Sequence, residues 1–408
     1  MTSNQLEYRS AWARSGAMHL TGRVSRPHLI APDATVAGIV QLGAGIGVDS
    51  LGLLGERAVF SGSSRRGPVS CGGASRLIRG MDGWIVASLP REDDLSMIPA
   101  WLEVDGVDAD DPWALVERRV QALPVARLVE RARLLGLAVG EVPLGPVELR
   151  GRAAGGWDGL PVTAERFPTH GRAGGPRGSP LVVDLSSLWA GPLCARLLAE
   201  RGADVVKVES LQRPDGARRG SGAFFDLMHA GHRSVALDLA SPKGRRQLAG
   251  LLDRADVVIE ASRPRALQQL GIERRAFIDS ATVWLAITGH GSLGLGSDRI
   301  GFGDDAAATG GLVAWDGLGP CFVADAVADP LSGVVAAGAA VAALDAGGGW
   351  LIDVAMVEVA RHVAPPPAEL WLEGDLAEVS PPAVPEARGR APELGEHTGE
   401  VMRELRLS

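Results

Sequence analysis

The stretch LVVDLSSLWAGPLCARLLAERGADVVKVE (181–209) decides the fold. LVVDL (181–185) is a short β-branched run, PLCARLLAERG (192–202) is a helix that closes on a glycine, and ADVVKVE (203–209) is a second β-branched run. A strand, a helix ended by Gly and another strand read as one βαβ unit of a parallel sheet. The pattern continues outward. RSVALDL (233–239), ADVVIEA (255–261) and ATVWLAIT (281–288) are further strands, and SPKGRRQLAGLLDR (241–254) starts a helix with Ser at the cap and Pro at the first helical position. The region from about 178 to 290 is therefore expected to be a doubly wound α/β unit.

On the N-terminal side lies GWDGLPVTAERFPTHGRAGGPRGSP (156–180), a Pro/Gly-rich seam that reads as a linker. Before it, GMDGWIVASL (80–89) looks like a turn entering a strand, and DPWALVERRVQALPVARLVERARLLGL (111–137) is helical, divided by Pro124. The expected organisation is a small α+β domain over 1–155, a linker over 156–180, and a Rossmann-like large domain with a C-terminal tail over 181–408.

Composition narrows the function classes. The 408 residues carry 41 Lys+Arg against 49 Asp+Glu, a net charge of -8, which argues against a basic face for nucleic acid. Cys71, Cys194 and Cys321 form no CxxC pair, so neither a disulfide framework nor a thiolate metal site is expected. The first residues lack a basic region followed by an apolar run, and the small-apolar run Gly333 to Leu344 is far short of the roughly 20 residues that span a bilayer. A cytoplasmic protein without a membrane anchor is the expectation. Glycine and proline, at 54 and 26 positions, make about a fifth of the chain and suggest loops of close backbone approach.

Two segments invite chemistry. IVQLGAGIGVDSLG (39–52) is a β-like run entering Gly43, Gly45 and Gly47, but Val48 stands where a dinucleotide fingerprint needs its third Gly, and Ser63 and Ser64 lie where the acidic residue should follow. Close helix packing is the simpler reading. In FVADAVADPLSGVVAAGAAVAAL (322–344), Asp329 precedes Pro330 and a helix-compatible run, which places it at a helix N-cap. The residues alone leave two roles open: an ordinary cap, or a carboxylate held ionised at a helix start and able to attack a thioester.

The ordered series VVDLSSLWAGPLCARLLAERGADVVKVE, HAGHRSVALDLASPKGRRQL, ADVVIEASRPRALQQLGI, LAITGHG, GFGDDAAATGGLVAWDG and ADPLSGVVAAGAAVAAL resembles the family III CoA-transferases, the CaiB/BaiF group, which also contains the α-methylacyl-CoA racemases. RAPELGEHTGEVMREL near the end is similar to the family's usual ending. The resemblance implies a Rossmann-like large domain with a smaller one, coenzyme A as the acyl-CoA substrate, a carboxylic acid acceptor, no metal, and an interlocked homodimer. It puts the catalytic Asp at Asp329, which attacks the thioester to give a mixed acyl-aspartyl anhydride that the CoA thiolate then attacks. AWARSGAMHLTG (11–22) looks like a second copy of the segment at 306–317, and SCGGASRLIRGMDGWIVASL (70–89) resembles the family's small-domain glycine run and strand. The small domain thus precedes the large one here, and the region around Gly43 to Gly47 is expected to supply no second Asp.

For coenzyme A the resemblance implies contacts at Leu188, Trp189 and Ala190 in the loop entering the first helix, at Ala261 and Ser262 in place of the family's Asn-Phe, and at Gly72 and Gly73 over the reacting aspartate. Arg213, Arg233 and Arg263, with Arg218 and Arg219, are the cations expected to meet its phosphates. Racemisation would need a base where Phe302 stands, flanked by Gly301 and Gly303, with His290 the residual substitute. A CoA-transferase is therefore the favoured reading, with a racemase and a catalytically impaired structural or regulatory partner as the alternatives.

Overall fold

The computed structural model describes residues 3–106, 111–144, 159–169, 178–262, 264–293, 296–365, 370–374, 379–386 and 388–407. Tertiary contacts divide the chain into two units that are interleaved in sequence. The first comprises Met1–Gly151, Asp298–Leu331 and Met356–Val384; the second comprises Arg152–Ser297, Ser332–Ala355 and Pro385–Ser408. This differs from a division at 156–180, because the first unit takes back two segments from the C-terminal half.

The first unit contains an antiparallel sheet of β1 (Ser75–Arg79), β2 (Trp84–Ser88) and β3 (Ala138–Val142). Alternation along the central strand sends its residues to two cores. Ile85 and Ala87 pack with Trp101, Leu102, Val116, Val120 and Leu128 from the helices Ile98–Leu102, Pro112–Gln121 and Val125–Leu135. Val86, with Leu77 and Val142, packs instead against Ala308, Val313 and Phe322. That second face carries the short helix Gly303–Thr309, on which part of the site is built. Pro124 divides the helical stretch as expected, ending up between the helices with its carbonyl accepting the Leu128 N–H. The segment preceding Gly43 is helical, not β-like: Asp33–Ala44 forms one helix that contains Gly43 and is followed by Gly45. Its apolar residues Val36, Ile39 and Leu42 recur at helical spacing and are buried.

The second unit contains a seven-stranded sheet. Its strands are β4 (Thr163–Arg166), β5 (Leu181–Asp184), β6 (Asp204–Ser210), β7 (Arg233–Leu237), β8 (Val257–Glu260), β9 (Val283–Thr288) and β10 (Trp350–Ala355). They lie in the order β4-β10-β9-β8-β5-β6-β7, parallel except for β4. Counted from β5 and leaving out β4, this is the 3-2-1-4-5-6 order of a Rossmann sheet. The expected five strands are all present. β10 was hidden behind a glycine run, and β4, inside the stretch read as a linker, is an antiparallel edge strand registered on β10. Leu181, Val183, Val206, Val208, Val235 and Leu237 pack against Leu248, Leu251 and Leu252 of the helix Pro242–Arg254 and against Val401, Met402 and Leu405. Fully burying each such side chain stabilises the fold by about 1.5–3 kcal/mol. Ser241 caps that helix, its hydroxyl accepting the Gly244 N–H at 3.0 Å.

The helix Ala328–Asp345 alone among the described residues has the length and hydropathy of a membrane span. Its Val334, Val335, Ala336, Ala337, Ala339, Ala340 and Ala343 are buried within the protein, as in a core helix. The three cysteines are free and buried.

Candidate active site

The first unit gathers carboxyl groups at one place. Two of them sit at the start of the Gly303–Thr309 helix. Phe302 is its N-cap, and Asp305 returns to accept the Phe302 N–H at 2.8 Å, half of a capping box. The β1–β2 register sets Ser75 opposite Ser88, with their hydroxyls 2.7 Å apart. From there Ser75 donates to Asp304 Oδ2 at 3.2 Å, and Ser88 is hydrogen-bonded to Asp305. Asp304 Oδ1 accepts the Ala326 N–H at 3.1 Å.

Asp329 stands beside them. Its helix starts at Ala328, so it occupies the first turn rather than the N-cap, and its own N–H donates to Ala326 O at 2.8 Å. The carboxylate does not cap its own helix in the manner expected; it accepts the Gly303 N–H of the neighbouring one. Only glycine fits there. A Cβ on residue 303 would lie 2.3 Å from Asp329 Oδ2 and 2.5 Å from Ala326 O. Asp329 stays half-buried, with part of its surface open to solvent. Arg57 and Asp325 complete the cluster, with Nη2–Oδ1 at 2.5 Å and Nε–Oδ2 at 2.9 Å. A Cβ on residue 72 would lie 4.0 Å from Nη2 of the same arginine, and neighbouring Cys71 directs its thiol to Ala324 O at 3.3 Å.

Burial pushes the Asp329 carboxyl up to about 7; Arg57 opposes this, while Asp304 and Asp325 add to it. Burial likewise lifts Asp304 to about 6 and Asp305 to about 7. These groups hold protons in the folded chain that the unfolded chain has released, so stability falls as pH rises from about 4 to about 7. The contribution is complete below the unfolded value and lost above the folded one. Each group contributes a slope of at most about 1.4 kcal/mol per pH unit. Asp305→Asn removes one of them, and the drop in melting temperature between pH 5 and pH 8 is expected to shrink. An unchanged drop in a thermal denaturation series would contradict this.

In the second unit the sheet order reverses between β5 and β8, and the crevice beyond the carboxyl ends of those strands is where α/β sheets bind ligands. Leu188, Trp189 and Ala190 follow β5, and Ala261 and Ser262 follow β8, so these five residues stand at that switch point. A buried network holds the loop after β5. Lys207 Nζ lies 3.0 Å from Asp215 Oδ2, 3.8 Å from Asp184 Oδ2 and 3.0 Å from Ser186 O. Asp184 accepts the Ser186 N–H at 2.9 Å, and Asp215 accepts the Leu188 N–H at 3.1 Å. Close packing under the loop requires Gly191, where a Cβ would meet Ser186 Oγ at 2.1 Å. Leu188 itself is left-handed, at φ +71°, and 47% exposed. Such a conformation costs a leucine about 1 kcal/mol, so Leu188→Gly is expected to raise stability by that amount. A denaturation midpoint that stays the same or falls would show that the loop carries no strain.

The other cations and glycines divide. Arg213 and Arg219, on the segment after β6, are both exposed. Arg218 is held by Glu209 at 2.6 Å and stacks on Phe225. Arg233 does not join them: it opens β7, at the amino end of the parallel sheet, and is paired with Asp204 and with Glu404 at 2.6 Å. Its distance from the carboxyl edge follows from the strand's direction, which spacing in the sequence did not reveal. Ser262 donates to buried Glu260 at 2.9 Å, and Ala261 is exposed. Arg263 lies outside the described residues. Gly73 is left-handed at φ +81° in the loop that leads into β1. Phe302 has its ring under Arg91, and His290 is half-buried in the other unit.

Sequence reasoning singled out Asp329, Gly72 and Gly73 in the first unit but missed Asp304, Asp325 and Arg57. The doublet Asp304-Asp305 and the Asp325/Asp329 spacing were visible signals; nothing in the sequence marked Arg57.

A model of CoA-transferase family III matches residues 180–383. The succinyl-CoA–D-citramalate CoA-transferase of Chloroflexus aurantiacus is 30% identical over 193 residues, 43% of this chain and 48% of that protein. The succinyl-CoA:mesaconate CoA-transferase of Haloarcula hispanica is 32% identical over 203 residues, 43% of this chain and 50% of that protein. The chain spans about half the length of the curated relatives it matches. Among solved structures, a CaiB/BaiF family protein from Brucella suis is similar at 28% identity and a TM-score of 0.42, over 45% of this chain and 53% of that one.

Proposed function

Because the chain belongs to CoA-transferase family III, we infer that it is an acyl-CoA:carboxylate CoA-transferase in which Asp329 is the nucleophile. The observation that carries this reading is the half-buried Asp329 carboxylate set against the Gly303 N–H. The carboxylate adds to the thioester carbonyl, the C–S bond breaks, and CoA leaves as a thiolate from a mixed acyl-aspartyl anhydride. The thiolate then attacks the aspartyl carbonyl, which releases the first acid and leaves an aspartyl-CoA thioester. The second acid's carboxylate displaces the thiolate from that thioester, and the thiolate takes the new acyl group and frees Asp329. Each attacking group enters as an anion and each leaving group departs as one, so the cycle needs no net proton transfer and no metal.

An aspartate that titrates near 7 is ionised in most molecules only above that pH, so the acylation rate is expected to rise through about pH 7. For coenzyme A the reading takes Leu188, Trp189, Ala190, Ala261 and Ser262 as contacts, with Arg213 for its phosphates; for the reacting carboxylate it takes Gly72 and Gly73. It further takes the working protein to be a cytoplasmic homodimer. Phe302, an apolar N-cap where the racemases need a base, disfavours proton exchange.

The test is incubation with a panel of acyl-CoAs, trapping with hydroxylamine or borohydride, and mass spectrometry of the peptide that contains Asp329. An acyl or CoA adduct on Asp329 is expected. Exchange of the α-proton without an adduct would assign a racemase. Failure to bind any CoA ester would leave the impaired-partner reading, which the pairing of Arg233 with Asp204 and Glu404 favours.

A further inference from the structure

The turn just before the Asp329 helix is strained. Ala324 and Ala326, on either side of Asp325, have φ values of +49° and +43°, in the left-handed region that L-residues with a Cβ avoid. Two such residues so close together persist only where the surroundings over-determine them. Four side chains from distant parts of the chain do so. Thr21 Oγ1 accepts the Ala324 N–H at 3.0 Å, and the Cys71 thiol reaches Ala324 O at 3.3 Å. Asp304 accepts the Ala326 N–H at 3.1 Å. The fourth is Arg57, on the helix Glu56–Ser61, which holds both oxygens of Asp325. The Asp325 side chain is 1% exposed and that of Arg57 34%, so the pair is shielded on the carboxylate side. Ala326 O in turn accepts the Asp329 N–H and lies against Gly303, so the geometry of the turn sets where the Asp329 carboxylate stands.

We propose that Arg57 is a positioning residue for Asp329: it locks the Ala324–Ala326 turn through Asp325 and supplies the positive charge set against Asp304, Asp325 and Asp329. This rests on the reading of Asp329 as nucleophile. The titratable groups around Asp329 are Asp304 on the Gly303–Thr309 helix, Asp325 in the turn and Arg57 on its own helix, with Asp305 and Cys71 close behind. Arg57 is the one cation among these groups. Its charge opposes the upward pull of burial and of the two neighbouring carboxylates on Asp329. A bidentate guanidinium also fixes the carboxylate plane of Asp325, which a lysine cannot do.

The experiment follows Asp329 in two ways. One is carbodiimide labelling of its carboxyl as a function of pH, read on the isolated peptide by mass spectrometry, which requires no catalysis. The other is the rate of acyl-adduct formation from an acyl-CoA. Arg57→Gln is expected to move the labelling midpoint up by about 1 pH unit, within the range that a neighbouring charge produces, and to slow acylation. Arg57→Lys keeps the charge but not the geometry, so its midpoint stays near the parent's while acylation is slowed. The double variant Arg57→Gln/Asp325→Asn removes both charges; its midpoint returns toward the parent value and its acylation stays slow. Circular dichroism melts identify variants that fail to fold, and for those the lysine variant carries the test. A folded Arg57→Gln protein with the parent midpoint and acylation rate would overturn the proposal. If no acyl-CoA acylates the parent but the midpoint still moves, the nucleophile reading fails while the hold of Arg57 on Asp329 stands.

Discussion

Asp329→Asn is expected to abolish the trapped adduct and to lower CoA transfer by about 10³-fold or more, the usual consequence of deleting a covalent nucleophile. The carboxamide has nearly the same shape and can still accept the Gly303 N–H, so the loss would be chemical rather than structural. The same substitution is expected to raise stability above pH 7. An ionised Asp329 is disfavoured in the folded chain, since burial, Asp304 and Asp325 together outweigh Arg57, and the neutral amide removes that cost. The two results point in opposite directions, as they do where a residue is kept for function against stability. Steady-state assays with a thioester panel and melts at pH 8 check both. Transfer that survives within tenfold of the parent would exclude Asp329 as the nucleophile.

Gly303→Ala should have the second largest effect. A single methyl group would lie 2.3 Å from Asp329 Oδ2 and 2.5 Å from the Ala326 carbonyl, and the latter is backbone that cannot swing aside. The carboxylate must move, and a displacement of about 1 Å at a reacting group costs on the order of 10²-fold in rate. The loss is expected in kcat, with little change in KM, because the methyl group disturbs the Asp329 carboxylate and not the thioester's remote contacts. Alanine is also the better helix former by about 1 kcal/mol, which offsets part of the steric penalty in the folded chain. A Gly303→Ala protein with kcat within threefold of the parent would mean that Asp329 does not need the position it occupies.

The parallel sheet was legible because a buried strand writes itself as a β-branched run. LVVDL, ADVVKVE and ADVVIEA each became a strand. Two strands escaped. Trp350–Ala355 follows three glycines, and Thr163–Arg166 lies on an edge where only one neighbour dictates its residues. The motif marked Asp329 as a candidate; its partner in the structure is Gly303 rather than its own helix. Arg57 was not legible at all, because it acts across 268 residues on a carboxylate that the sequence did not mark. Arg233 shows the opposite limit: its motif resembles a cofactor-binding one, but the sequence did not reveal that it opens its strand and pairs with Asp204 and Glu404.

The interleaving of the first unit also bears on how the chain is made. Thr21, Arg57 and Cys71 leave the ribosome early, whereas the Ala324–Ala326 turn they hold follows more than 200 residues later. At typical elongation rates of about 5–20 residues per second, the N-terminal segment waits roughly 10–50 s for its counterpart. For the later part of that interval, once Ala138–Val142 has been made, the three-stranded sheet has one face without its cover, since Ala308, Val313 and Phe322 have not yet been synthesised. Leu77, Val86 and Val142 are then an exposed apolar surface on a nascent chain, the kind of surface that chaperones bind. The arrangement that brings one arginine to the Ala324–Ala326 turn thus makes this unit slow to complete, with a vulnerable period before its last segment arrives.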